Sequence, residues 1–270
     1  MHRPFRLARA MLCVLGLLCL PQPGAAANAG GRLDLIAARQ LLKVCIWPDY
    51  YRVSFRDPQS GLVTGIDADL ARALAHELGV AVKFIDSDFS TLAADVLGNR
   101  CDIAMYAIGI TPERAARLHF TAPHLASDIH AVTTRANPRI ATWDDIDQPG
   151  VVVAVARGTV HERVMRSKLR HAELAVLHTP HARERAVESG RADVFMTDYP
   201  YVRHLLEHAP WARPIAPTGA YHVTPYAWAM APGDPRWHAR IDRFVAAIKA
   251  DGRLLEAARQ HGLEAIVVNR

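Results

Sequence analysis

The run from Ile103 to Ile110 is apolar at nearly every position rather than at alternate ones, and helix-start signals follow it at once. A strand that is apolar on both faces must be covered on both, which restricts the chain to a sheet with helices packed above and below it. Gly109 lets the backbone turn, Thr111 can cap a helix, Pro112 suits its first turn and Glu113 complements its dipole. Arg114 then adds a planar, permanent cation with paired donors. Unpaired N–H groups and a guanidinium beyond a buried strand favour a carboxylate, although the same arginine would serve equally in a surface or inter-helix salt bridge.

The same alternation recurs along the chain. Strands are predicted at 42–47, 80–85, 101–107, 129–134, 151–156, 174–177 and 193–197, with extended chain at 53–55 and 221–230. Helices are predicted at 67–78, 90–97, from Gly158-Thr159 to about 170, at 182–189 and 199–208, and twice within 235–261. This order predicts an α/β architecture. Tyr50, Phe89, Arg114, Thr159 and Asp198 all fall just beyond predicted strand ends. Open α/β sheets bind ligands at those ends, and two such edges face to face make a cleft.

Residues 1–27 have the pattern of a secretory signal: Arg3, Arg6 and Arg9, an apolar stretch from Met11 to Leu20, and the small residues Ala25-Ala26-Ala27. The apolar stretch is about half the roughly twenty residues that a membrane-crossing helix needs. Leu18 before Cys19 is bulky for lipid attachment, and the arginines are not adjacent as twin-arginine export requires. The expectation is a soluble periplasmic protein cleaved near Ala27. Removing the three leader arginines takes the formal charge from +5 to +2, and the remaining basic residues are dispersed among acids. No nucleic-acid groove is expected. Roughly 240 residues can then bury one large core or two smaller ones.

Cys45 and Cys101 are the cysteines beyond the leader, and their pairing is open at this level. Export permits a disulfide. Against it, Cys45 falls in the middle of one predicted strand and Cys101 at the start of another, an offset too long for a bridge between neighbouring parallel strands and one that favours two buried free thiols.

Several segments together resemble the periplasmic solute-binding proteins of family 3, which deliver polar amino acids to ABC importers. They are Gly65-Ile66-Asp67-Ala68-Asp69-Leu70, Ser87-Asp88-Phe89, Gly109-Ile110-Thr111-Pro112-Glu113-Arg114, Phe120-Thr121-Ala122-Pro123 and Gly190-Arg191-Ala192-Asp193 running into Asp198. The resemblance covers residues 40–265 and implies two Rossmann-like lobes joined by a two-strand hinge, the type II periplasmic binding protein arrangement. One lobe would comprise residues 33–125 and 223–270 and the other 126–222, with crossings near 125–128 and 219–223.

It further implies that a ligand carboxylate meets Arg114 and the turn at Gly158-Thr159, that its ammonium meets Asp198, and that Tyr50 and Phe89 sandwich its side chain. A zwitterion entering a dry cleft needs a partner for each charge, which agrees with that division. Ala107 and Gly109 stand where the family commonly has hydroxyl side chains, so backbone N–H groups or the Tyr106 hydroxyl would have to compensate. Trp47 stands where an acid is often found, which points away from a strongly cationic ligand and toward a neutral, partly apolar or aromatic one. The partners so implied are a small carboxylate or amino acid and the membrane permease of an ABC importer, with the protein acting as a monomer without cofactor or metal.

Two rival readings share the fold. Some proteins similar to this family are periplasmic cyclohexadienyl dehydratases, for which His161, Glu162, Tyr106 and His222 would be acid–base candidates. Others are accessory proteins of quinoprotein alcohol oxidation, a role toward which the altered Ala107 and Gly109 positions lean. The pairs His178/His181 and His204/His208 lack the further ligands that a metal site needs.

Overall fold

The computed structural model describes His2, residues 30–179 and residues 181–269. Apart from His2, the expected leader lies outside the described residues. The chain runs α1 (Arg32–Arg39), β1 (Leu41–Ile46), β2 (Phe55–Arg56), β3 (Val63–Thr64), α2 (Ile66–Glu77), β4 (Ala81–Asp86), α3 (Leu92–Leu97), β5 (Ile103–Gly109), α4 (Pro112–Ala115), β6 (His119–Phe120) and β7 (Leu125–Ser127). It continues with β8 (Ile129–Thr134), β9 (Val152–Ala156), α5 (Val160–Lys168), β10 (Glu173–Leu177), α6 (Ala182–Glu188), β11 (Val194–Asp198), α7 (Tyr199–His208), β12 (Ala212–Ile215), β13 (Thr224–Met230), α8 (Pro235–Ala250) and α9 (Arg253–Gln260).

Two sheets carry the molecule. The first has the order β4-β1-β5-β13-β6, with β7 also paired to β13, and the second the order β10-β9-β11-β8-β12. In each, three parallel strands are flanked by an antiparallel one, β13 in the first sheet and β8 in the second. Every residue of β5 is buried, as a strand covered on both faces requires. The second sheet has a core on each side: Ile129, Val153, Val164 and Met165 pack on one, and Val132, Ala154, Phe195 and Tyr201 on the other.

The chain leaves the first sheet after Ser127 and returns at Thr224. Asp128 ties these two crossings together, its carboxylate accepting from the backbone N–H groups of Ile129, Tyr221 and His222, each at 2.7 Å. Such charge-assisted bonds are shorter and stronger than neutral ones and tie the two crossings to each other.

Two expectations need correction. Val53 lies in a turn rather than extended chain, and both α1 and β12 were unforeseen. Cys45 and Cys101 form a disulfide, their Cα atoms 5.5 Å apart. The offset argument failed because Cys101 is not part of β5: the strand begins at Ile103, opposite Val44, and the chain bends at Asp102. Cys101 is therefore folded back beside β1 instead of prolonging the axis of its own strand.

Candidate ligand-binding cleft

The carboxyl ends of the parallel strands in the two sheets meet. From the first sheet come Trp47 and Tyr50 after β1, Phe89 after β4, and Ala107 and Gly109 on β5; from the second come Thr159 after β9 and Asp198 at the end of β11. These seven predicted site residues share one inner cavity with Val160, His161, Arg183, Thr197, Tyr201 and Tyr226. Its volume is about 20 Å³, room for about one water. A second compartment of about 150 Å³ adjoins it and shares Trp47, Phe89, Thr159, Arg183 and Tyr201 as walls.

Asp198 is the polar centre of the inner cavity. Its Oδ2 accepts from the hydroxyls of Tyr50 and Tyr226, the latter at 2.9 Å, and both tyrosines belong to the first-sheet side. Its Oδ1 caps α7 by accepting from the Tyr201 N–H at 3.3 Å. Burial first, and then the facing Asp198 charge, push the pKa values of Tyr50 and Tyr226 well above that of a free phenol, so both remain donors. One lone-pair direction of Oδ1 is left for a further donor.

Arg114 spends its donors differently. Nη1 donates to the Gly109 carbonyl at 2.8 Å, and Nη2 reaches across to the Gly158 carbonyl of the second lobe at 2.9 Å. The guanidinium lies 5.3 Å from the centroid of the Phe89 ring. Arg114 lines a neighbouring hollow with Gly158, Thr159 and Arg163, not the inner cavity. The expectation that Arg114 and Asp198 face one space is not met in this conformer, because Thr159 and Val160 at the start of α5 stand between them.

The lobes touch closely at that wall. A Cβ on Gly109 would lie 2.6 Å from Val160 Cγ2, and one on Gly158, at φ +76°, 2.7 Å from the Ser90 backbone nitrogen. Glycine is required at both positions for the backbones to approach. The hydroxyl of Thr159 is also committed, donating to the Ala156 carbonyl at 2.7 Å and accepting from the Glu162 N–H at 3.3 Å.

The other expectations for β5 divide. Ala107 lines the inner cavity with φ +47°, but its N–H donates to Asp67 Oδ2 at 2.7 Å and is closed to a ligand. Tyr106 is a correction: it does not line the inner cavity but packs against Phe89, ring centroids 5.1 Å apart, and donates to the Asp88 carbonyl. Trp47, Tyr50 and Phe89 form an aromatic wall, with ring centroids 5.1–6.1 Å apart. Of the four acid–base candidates, only His161 lines the inner cavity. Its Nδ1 is buried without a partner among the described residues, and burial, opposed by Asp198, lowers its pKa to about 4.

Tyr226, Val160 and Arg183 were missed. Tyr226 opens the apolar run Tyr226-Ala227-Trp228-Ala229-Met230 and reads as a core residue, and Arg183 lies in the sequence His181-Ala182-Arg183-Glu184-Arg185, which reads as a solvated helix start. Only burial sets Arg183 apart from Arg185.

Two lobes of parallel-stranded sheet, crossed by two strands and meeting at their carboxyl ends over a shared cavity, define a two-lobed binding protein. The chain belongs to the bacterial extracellular solute-binding proteins, family 3, whose family model matches residues 42–264. It is 29% identical to the cyclohexadienyl dehydratase of Pseudomonas aeruginosa over 98% of this chain and 97% of that one. It is 25% identical to ABC transporter arginine-binding protein 1 of Escherichia coli K12, over 70% of this chain and 78% of that protein. Among solved structures it resembles an ancestral amino acid-binding protein, a precursor of cyclohexadienyl dehydratase, with TM-score 0.77 and 30% identity over 84% of this chain and 98% of that one. The two-lobed type II fold is shared with such structures.

Proposed function

We propose that this protein is a periplasmic receptor that captures a small carboxylate-bearing ligand, an amino acid, between hinged lobes comprising residues 33–125 with 223–270 and residues 126–222, and presents it as a monomer to the permease of an ABC importer. The observation that carries this is the pair of polar clasps across the cleft: Asp198 of one lobe held by Tyr50 and Tyr226, and Gly158 of that lobe held by Arg114. An inner cavity of about 20 Å³ cannot admit an amino acid unless the lobes part. Parting breaks the Arg114–Gly158 contact, and a ligand carboxylate can then take up the freed guanidinium donors. A ligand ammonium finds the remaining lone pair of Asp198. Such a ligand favours closure by contacting both lobes at once.

The test is a thermal-shift and calorimetric screen of the twenty amino acids and of simple dicarboxylates. A ligand at a hundredfold over its Kd should stabilise the folded form by about 2.7 kcal/mol. Asp198→Asn keeps the shape of the side chain and one oxygen, which can serve either the tyrosines or the α7 cap, and removes the charge. It should weaken every bound amino acid by about tenfold or more, since charge-assisted hydrogen bonds contribute roughly 1.5–3 kcal/mol, and leave succinate unaffected. Equal losses for both classes would assign Asp198 a structural part alone.

A second reading has its own support. The dehydratase likeness runs the length of both chains, and His161 is a buried base in the inner cavity with an unpartnered nitrogen. With its pKa lowered to about 4, the ring is neutral near pH 7 and offers an acceptor nitrogen, as a weaker base than free imidazole. Phenylpyruvate formed from prephenate by the native protein and not by His161→Ala would establish this activity. Absence of product from the native protein rejects it.

A further inference from the structure

A stack of four rings crosses between the lobes outside both compartments of the cleft. Tyr51, in the turn after β1, and Phe55, which opens β2, belong to the first lobe; His204 and His208, on α7, belong to the second. Phe55 stacks on Tyr51 with ring centroids 4.1 Å apart, Tyr51 on His204 at 3.4 Å with 7° between the planes, and His204 on His208 at 4.4 Å. Tyr51 also packs against the second-lobe core that holds Phe195 and Tyr201. Beside the stack, Arg52 forms an ion pair with Glu207 of α7, and its Nη1 donates to the His261 carbonyl of its own lobe at 2.6 Å. The four ring residues, Arg52 and Glu207 line neither the inner cavity nor the compartment beside it.

The Glu207 side chain is 43% exposed, so the ion pair by itself contributes little. The stacked rings carry most of the attraction, because near-parallel overlap takes apolar faces out of water and brings many atoms to dispersion distance. Burial first, and then His208 and Arg52, lower the pKa of His204 to about 4, so its ring is neutral near pH 7 and loses no charge hydration when it stacks. Tyr51 against His204 and Arg52 against Glu207 join different lobes. Both contacts therefore favour the closed arrangement whatever the cleft holds.

We propose that the stack of Tyr51 on His204, with the Arg52–Glu207 pair beside it, is an outer latch that holds the lobes together independently of the ligand. The protein then closes in part before binding, and every ligand of the closed form gains affinity by one common factor, the rise in the fraction of binding-competent molecules. This rests on the reading of the lobes as hinged bodies, and goes beyond it by assigning part of the affinity to residues that no ligand touches.

The test measures the lobe separation directly, by pulsed electron–electron resonance without added ligand. Spin labels at positions 83 and 173, carried on ketone-bearing residues so that no cysteine is disturbed, sit on exposed sites of β4 and β10, the edge strands at the ends of the two sheets away from β7 and β8. The native protein should show the short separation of the closed arrangement as its main one. His204→Ala combined with Glu207→Gln removes the latch from α7 alone with two residues that favour a helix. It should lower the ratio of short to long separations by about tenfold, the scale of losing one well-stacked pair and the area it buries. Tyr51→Leu removes the same stack from the other lobe and should lower the ratio likewise, while Arg240→Gln, which breaks an ion pair with Glu77 inside the first lobe, should leave it unchanged.

A native protein that shows only the long separation overturns this inference. So do latch variants that keep the native ratio with native circular dichroism, or an equal fall in Arg240→Gln. In each of these cases the receptor reading stands, since closure driven by the ligand alone is tested by the amino-acid screen.

Discussion

Asp67→Ala is expected to destabilise the protein by about 4 kcal/mol, the loss typical of removing one partner from a buried charged network. Asp67 is fully buried and opens α2, yet its carboxylate serves three other parts of the first lobe. Oδ2 accepts from the Ala107 N–H at 2.7 Å; Oδ1 accepts from the Trp228 indole Nε1 at 2.8 Å and lies 3.1 Å from His124 Nε2. Truncation strands three groups in a core where water has no access, two of them on the central strands β5 and β13. Ala107 adds to the effect, because its left-handed backbone is unfavourable for a residue with a Cβ and is held there partly by this bond. Urea unfolding followed by tryptophan fluorescence measures the loss. A change below about 1 kcal/mol would mean that water or a shifted side chain replaces the carboxylate, and that Asp67 does not organise the lobe.

Breaking the Cys45–Cys101 bridge is expected to cost a comparable amount. The two residues are 56 apart in sequence, and closing a loop of that length restricts the unfolded chain by about 4 kcal/mol in the chain-entropy account. The double variant Cys45→Ser/Cys101→Ser should melt well below the native protein, and reductant should lower the native melting temperature toward that of the variant while leaving the variant unmoved. Coincident melting of the two proteins without reductant would show that the bridge contributes nothing to stability. Both serines would be buried against β1, so a reduced native protein that melts above the variant would separate lost bridging from the cost of burying hydroxyls.

Much of the fold was legible because the signals are local. The continuous apolar run on β5 announced a strand covered on both faces, and Thr111 with Pro112 announced the short helix after it, down to the Thr111 hydroxyl accepting from the Arg114 N–H. Asp198 was placed at a strand end by the pattern of β11, and it caps α7 there. What escaped was relational. Cys101 was assigned to the strand because the apolar run begins two residues later, and a bend at Asp102 put it beside Cys45 instead. Tyr106 lies next to the cavity residue Ala107 in sequence, but in the fold its hydroxyl donates to the Asp88 carbonyl and stays out of the inner cavity.

By itself, the order of apolar runs, caps and turns determined an α/β architecture and brought Tyr50, Phe89, Thr159, Asp198 and the Arg114 helix to strand ends, since hydrophobic periodicity and capping act within a few residues. Tertiary structure alone decided which of those groups share a space: Val160 packed on Gly109 walls Arg114 off from Asp198, two tyrosines converge on that aspartate, and Arg183 is sunk with Glu184 into the cleft. Burial and the meeting of distant segments change what a side chain can bond to, and no local pattern encodes either.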